Sequence, residues 1–262
     1  MLAPSVIPDH FAKWNLTHGA PHGRSFRLFR LFSHFMTSSQ IRRVKGPFSV
    51  QSNNTTRAFE YPWAFEMGKL QPGMRVLEVG GGLSGFQFVL DQSGCSVVNV
   101  DPGMESKGRG WPCDKNSIMT LNRCFKTHVD LRNTTIDKAG LVGGEFARTY
   151  SISVIEHLAL DEAATVMSHV FKGLEPGGLF ILTIDLFLNL HPFSSRRRNE
   201  YGLNQNVYEL ISNQPWELVV GDPGELFGFS EFNKDGILSR LETFLVGRYP
   251  TLVQCLVLKK PD

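Results

Sequence analysis

One segment carries most of the chemistry: Val76-Leu77-Glu78-Val79-Gly80-Gly81-Gly82-Leu83-Ser84-Gly85. An apolar strand that runs into glycines and then a helix lets backbone approach a ligand closely and aims a helix N-terminus at it. Gly80, Gly82 and Gly85 fit the G-x-G-x-x-G of dinucleotide-binding turns, and Asp101 follows 21 residues after Gly80, where an acidic side chain accepts from ribose hydroxyls. Glu78 argues against a nicotinamide dinucleotide. Two residues before the first glycine, its carboxylate repels a pyrophosphate and suits a ligand with an ammonium group. A charged residue that closes an apolar strand is costly without a partner, so Glu78 and Asp101 are hard to explain as structure alone.

The elements that must position these residues begin near residue 70. Arg75–Gly80, Ser96–Asp101, a run after Phe125–Val129, Phe146–Ser153 and Leu179–Leu186 read as five strands. Helical patterns lie between them at 85–92, 114–121 and 161–174, the last stopped by Pro176-Gly177-Gly178. Glu217–Gly221 and Leu252–Lys259 read as two further strands, with a helix near 236–246 between them. Strands alternating with helices predict an α/β fold with a mainly parallel sheet. Residues 1–69 differ: no strand pattern appears, and Arg24–Met36 reads as an amphipathic helix with Leu28, Leu31, Phe32, Phe35 and Met36 on one face.

Taken together, residues from about 70 to 190 resemble the class I S-adenosylmethionine-dependent methyltransferases. VLEVGGGLSG resembles the family's first motif, NVDP at 99–102 its second-strand acidic end, SVIEHL at 153–158 its fourth-strand motif, and LEPGG its entry to the fifth strand. Gly85 falls one residue later than the family pattern places it. The resemblance implies a Rossmann-like, seven-stranded, mainly parallel sheet, with residues 1–69 as a partly helical cap and 70–262 as the cofactor-binding domain. It implies S-adenosylmethionine as the cofactor. Glu78 would then lie near the methionine moiety, with Gly80, Gly81, Gly82, Ser84 and Gly85 in the turn. Asp101, with Pro102 beside it, would hold the ribose. Asp130 would meet the adenine amino group, Leu131 would pack on the ring, and Ser153 and Val154 would flank the sulfonium.

Methyl transfer from a sulfonium chiefly requires alignment of acceptor, methyl and sulfur. A base is needed where the acceptor must lose a proton. His157 is the first candidate, a neutral imidazole being available near pH 7; Glu156 is the second and His191 a weaker third. His157 reads equally well as a loop residue satisfied by backbone. The acceptor pocket falls to Asn53–Phe65, which concentrates Tyr61 and Trp63 around Pro62, and to His191–Tyr201, which carries His191, Phe193 and Arg196–Arg198. Ordinary packing and solvated surface account for these segments equally well.

Composition bounds the rest. The chain has 262 residues, 42% hydrophobic, which excludes a disordered protein, and its net charge of +2 hides a split. Residues 1–60 carry eight cations and two anions, and the remainder is mildly acidic. The basic segment reads first as a cap over the site and second as an arm for nucleic acid or protein. The four cysteines show no paired metal-ligand spacing and read as buried, reduced thiols, so no metal site is expected. No apolar run reaches membrane-spanning length and no secretory pattern opens the chain, so the cytoplasm is the expected compartment and a small molecule the expected partner. A non-catalytic cofactor-binding module is the alternative from another class.

Overall fold

The computed structural model describes residues 1–25, 36–103 and 113–262. Its apolar runs pair into one seven-stranded sheet: β1 Arg75–Val79, β2 Ser96–Val100, β3 Asp130–Arg132, β4 Phe146–Ile152, β5 Leu174–Phe187, β6 Glu217–Val220 and β7 Thr251–Lys259. The strand order is β3-β2-β1-β4-β5-β7-β6, parallel except for β7, which runs antiparallel to both β5 and β6. This is the Rossmann-like class I methyltransferase fold that the sequence predicts.

Both faces of the sheet are covered, as the near-continuous apolar strands require. Alternate residues of a strand therefore enter different cores. Val76 of β1 and Ile181 of β5 pack in one cluster, and their neighbours Leu77 and Leu182 in another. The first face lies under helices from both sides of β1, α1 Asp9–His18, α3 Arg57–Met67, α4 Phe86–Gln92 and α5 Lys115–Phe125, whereas α2 Ser38–Lys45 buries no residue and is bonded to α5. The second lies under α6 Leu160–Gly173 and α7 Val207–Ser212, with a short α8 Lys234–Leu238 beyond β6.

The N-terminal segment shares the first of these cores. Phe59, Tyr61, Trp63 and Ala64 of α3 are buried with Phe86, Tyr150 and Val253. Leu2 forms a β-bridge with Gln254, and the Ala3 N–H donates to Val253 O at 2.9 Å. Helix α3 contains Pro62, which supplies no N–H to the carbonyl of Ala58, one turn earlier. Asn15 of α1 supplies it instead: its Nδ2 donates to Ala58 O at 2.7 Å.

Several boundaries differ from the sequence reading. The third strand starts at Asp130, so Asp130 opens β3 where it was expected to follow it. Helix α6 ends at Gly173, before the Pro-Gly-Gly: Leu174 already pairs with Phe146, and residues 176–178 form an irregularity before Leu179 pairs with Arg148. The tail helix is broken into α8 and a 3₁₀ turn at Leu241–Thr243. The amphipathic helix expected over 24–36 falls almost wholly outside the described residues. All four cysteines are buried and free. Among the described residues, no helix is long and apolar enough to cross a membrane.

Candidate active site

A cavity of about 500 Å³ opens at the carboxyl ends of β1, β2, β4 and β5, where open parallel sheets bind ligands. Its first wall is the glycine turn. Gly80 (φ +71°) and Gly82 (φ +55°) adopt left-handed backbone that other residues rarely take. A Cβ on Gly80 would stand 2.7 Å from Val154 Cγ1, and one on Gly81 would stand 2.7 Å from Glu78 Cδ. Two buried amides fix the turn from behind. Asn99 Oδ1 accepts from the Gly81 N–H at 3.2 Å, and its Nδ2 donates to Gly82 O at 3.2 Å and to Gln87 Oε1 at 2.9 Å. Gln87 Nε2 in turn donates to Gly82 O and Ser84 O, each at 3.1 Å. Asn99 and Gln87 are thus part of the site's support, although neither stands out in the sequence.

The two strand-end carboxyls face this cavity. Asp101 is 7% exposed; Oδ2 accepts from the Gly82 N–H at 2.8 Å and Oδ1 from the Gly103 N–H at 2.6 Å. Burial raises its pKa, and these two N–H donors oppose the rise. Glu78 is 2% exposed; Oε1 accepts from Ser84 Oγ at 3.1 Å, whereas Oε2 is buried with no hydrogen-bond partner. Burial pushes Glu78 up to about 8, Ser84 opposes this, and the Asp101 charge adds to it.

The opposite wall is a polar network in which the sequence singled out Ser153 but not Arg57, Glu60, Thr183 or Asp185. Ser153 ends β4 with φ +47°, a strained position for a non-glycine residue, and side-chain bonds hold it there. Its Oγ accepts from Arg57 Nη1 at 2.8 Å and lies within donating distance of Glu60 Oε1 (2.9 Å) and Asp185 Oδ1 (3.2 Å). Thr183 Oγ1 also donates to Glu60 Oε1, at 2.6 Å, and Arg57 forms an ion pair with Glu60. Burial works against the Arg57 charge, but Glu60, Tyr61 and Asp185 outweigh it and raise its pKa. The period-two alternation of β5 places Thr183 and Asp185 on the α3 face, opposite Leu182 and Ile184.

The structure brings most of the expected residues together. Tyr61, Glu78, Gly80, Gly81, Gly82, Ser84, Asp101, Pro102, Ser153, Val154 and His157 all line the cavity. Others lie elsewhere. Asp130 pairs with Val98, three residues below the level of Asp101, and its carboxyl is exposed beside Arg132. Leu131 and Trp63 are core residues. Gly85 serves packing: a Cβ there would stand 2.6 Å from the backbone N of Phe48. His191 and Phe193 face Phe227 and Phe232, away from the cavity. Glu156 is fully buried behind the wall, neither of its oxygens has a hydrogen-bond partner, and burial pushes it up to about 8. His157 reaches the cavity, but its Nδ1 donates to Tyr201 O and its Nε2 is 3.8 Å from Glu156. The loop after β5 instead contributes Glu200 and Tyr201, and Arg248 and Tyr249 come from the turn before β7.

No protein-family model and no curated protein match this chain. Solved structures match its fold. The [4+2]-cyclase SpnF is 14% identical over 90% of this chain and 94% of its own, with a TM-score of 0.57. YcgJ from Bacillus subtilis is 9% identical over 78% and 98%, with a TM-score of 0.55. An S-adenosylmethionine-dependent methyltransferase from Mesorhizobium loti is 15% identical over 76% and 97%, with a TM-score of 0.50. The chain therefore has the fold of class I methyltransferases, and that fold also carries a cyclase.

Proposed function

We propose that this protein is an S-adenosylmethionine-dependent methyltransferase acting on a small-molecule acceptor. The observation that carries the reading is the pairing of Asp101 with Glu78 in one cavity, Glu78 offering a buried oxygen that no described residue satisfies. A buried carboxyl left half-satisfied is costly, and the ammonium of an amino-acid moiety completes it. The residues present fit the cofactor. Gly80 and Gly81 let the turn close onto Val154 and Glu78 where a Cβ would clash, Glu78 receives the ammonium, and Asp101 keeps lone pairs for ribose hydroxyls beyond the two N–H bonds it accepts. Among the described residues no carboxyl stands at the end of β3 for the adenine amino group; Asn133 is there, donating from Nδ2 to Asp101 O at 2.9 Å.

Bound there, the cofactor supplies a methyl on a sulfonium, open to in-line displacement by an acceptor lone pair. The protein's own residues orient and exclude. Ser153 and Val154 close the floor, and Tyr61, Ile152 and Phe187 supply apolar wall that sheds water. His157 holds the Tyr201 loop, and Glu156 lies buried behind it. Among the described cations of the first 60 residues, three bond to the fold itself. Arg24 Nη2 donates to Thr17 O at 2.5 Å, Arg43 Nε to Cys124 O at 3.0 Å, and Arg57 binds Glu60 and Ser153. Calorimetry tests the reading: S-adenosylhomocysteine binding at micromolar levels, with NAD not binding, is the expected result. The reverse pattern overturns it.

A further inference from the structure

The acceptor side of the cavity carries more acid than the donor side needs. Asp185 is 6% exposed and lines the cavity. Its Oδ1 is within reach of Ser153 Oγ, and its Oδ2 has no hydrogen-bond partner among the described residues. Glu60 pairs with Arg57, whose charge also reaches Asp185, and among the described residues Asp185 makes no ion pair; Glu156 lies behind it. A carboxyl buried to this degree that still opens on the cavity is placed to accept from a ligand there. Carboxyls outnumber guanidinium groups around it, so a positively charged donor is favoured over a neutral one. The outer wall suits an apolar body behind that charge: the rings of Tyr201 and Tyr249 lie 3.8 Å apart, centroid to centroid, and Phe187 is beside them in the lining.

Building on the methyltransferase reading, we propose that the acceptor is an amine carried on an aromatic or apolar body, that it arrives as its ammonium ion, and that Asp185 receives it. Asp185, which holds a proton in the empty site, releases it to water as the ammonium docks; the carboxylate so formed then takes one proton from the ammonium and frees the nitrogen lone pair for the methyl. The carboxylic acid that results is the state of the empty site, so the cycle closes when product leaves. Ser153, Glu60 and Arg57 position the carboxyl. Burial raises Asp185 well above the usual carboxylate range, Glu156 and Glu60 add to this, and Arg57 and His157 oppose it; Cys255 of β7 also faces the group. A raised carboxyl is a stronger base than an ordinary aspartate.

The test uses the whole protein saturated with S-adenosylhomocysteine, titrated by calorimetry with benzylamine and phenethylamine and with their isosteres benzyl alcohol and phenethyl alcohol. The amines are expected to bind at least about tenfold more tightly than the alcohols. Asp185→Asn is expected to erase that preference while leaving affinity for S-adenosylhomocysteine unchanged. Equal binding of the alcohols, a preference that survives in D185N, or no amine binding by a protein that does bind S-adenosylhomocysteine overturns the proposal. The wild-type comparison stands alone if D185N does not fold. Failure of the wild type to bind S-adenosylhomocysteine instead overturns the underlying reading, and this one with it.

Discussion

At the scale of single residues, the two cavity carboxyls are held differently and so should respond differently to mutation and pH. Asp101 is pinned by two backbone N–H groups and stays in place without a ligand. Asp101→Ala is expected to lower affinity for S-adenosylhomocysteine by at least about tenfold, about 1.4 kcal/mol, read by calorimetry. Glu78 is poised near 8, so it carries a proton in the empty site at neutral pH. A ligand ammonium favours the ionised form, and binding must therefore expel that proton. Affinity for S-adenosylhomocysteine should rise as the pH climbs from about 6 toward about 8, with proton release visible as a dependence of binding heat on the buffer. Glu78→Gln should flatten that rise; a slope that persists in E78Q removes Glu78 from the ammonium site.

At the scale of elements, the helices that shape the site depend on contacts remote in sequence. Helix α3 carries Arg57, Glu60 and Tyr61 into the cavity wall and is interrupted at Pro62. Asn15 repairs that interruption by donating to Ala58 O. Asn15→Ala should destabilise the protein by about 1 kcal/mol, the cost of leaving a partly buried carbonyl unpaired. In a Pro62→Ala background the cost should shrink, because residue 62 then donates its own N–H. A double-mutant cycle by chemical denaturation checks this coupling. Gly85→Ala should destabilise by about 1–3 kcal/mol through overpacking against Phe48, with cofactor affinity of the folded protein preserved. Weakened binding without loss of stability returns Gly85 to the cofactor turn.

At the scale of the whole molecule, the buried acids set how stability varies with pH. Burial pushes Glu78 and Glu156 each to about 8, and Asp185 is raised by burial and by its neighbours Glu156 and Glu60. The folded protein thus holds protons that the unfolded chain releases above the ordinary carboxylate range. The stability these groups contribute is full below about pH 4 and is lost as the pH rises through about 8. Urea midpoints should fall between about pH 5.5 and about pH 9. Glu156→Gln, which keeps the shape and removes the titration, should reduce that fall.

The sequence by itself determined the fold class, and it singled out the strand-end residues that line one wall of the cavity. An apolar strand, a charged last turn, glycines and a helix are local features, and their chemistry is legible wherever a few consecutive residues must act together. Gly80–Gly82, Glu78 and Asp101 are of this kind. Asp130 was misplaced because a three-residue strand leaves no periodic signal to fix its register against β2. Glu156 and His157 adjoin the strand end, yet the backbone turn there buries one and commits the other to Tyr201. Only the tertiary structure decided the facing wall. Arg57, Glu60 and Asp185 join Ser153, which the sequence does single out, from three separate segments of the chain, and they meet because α3 crosses the ends of β4 and β5. No spacing in a linear chain records which buried charges will share one dielectric and one cavity.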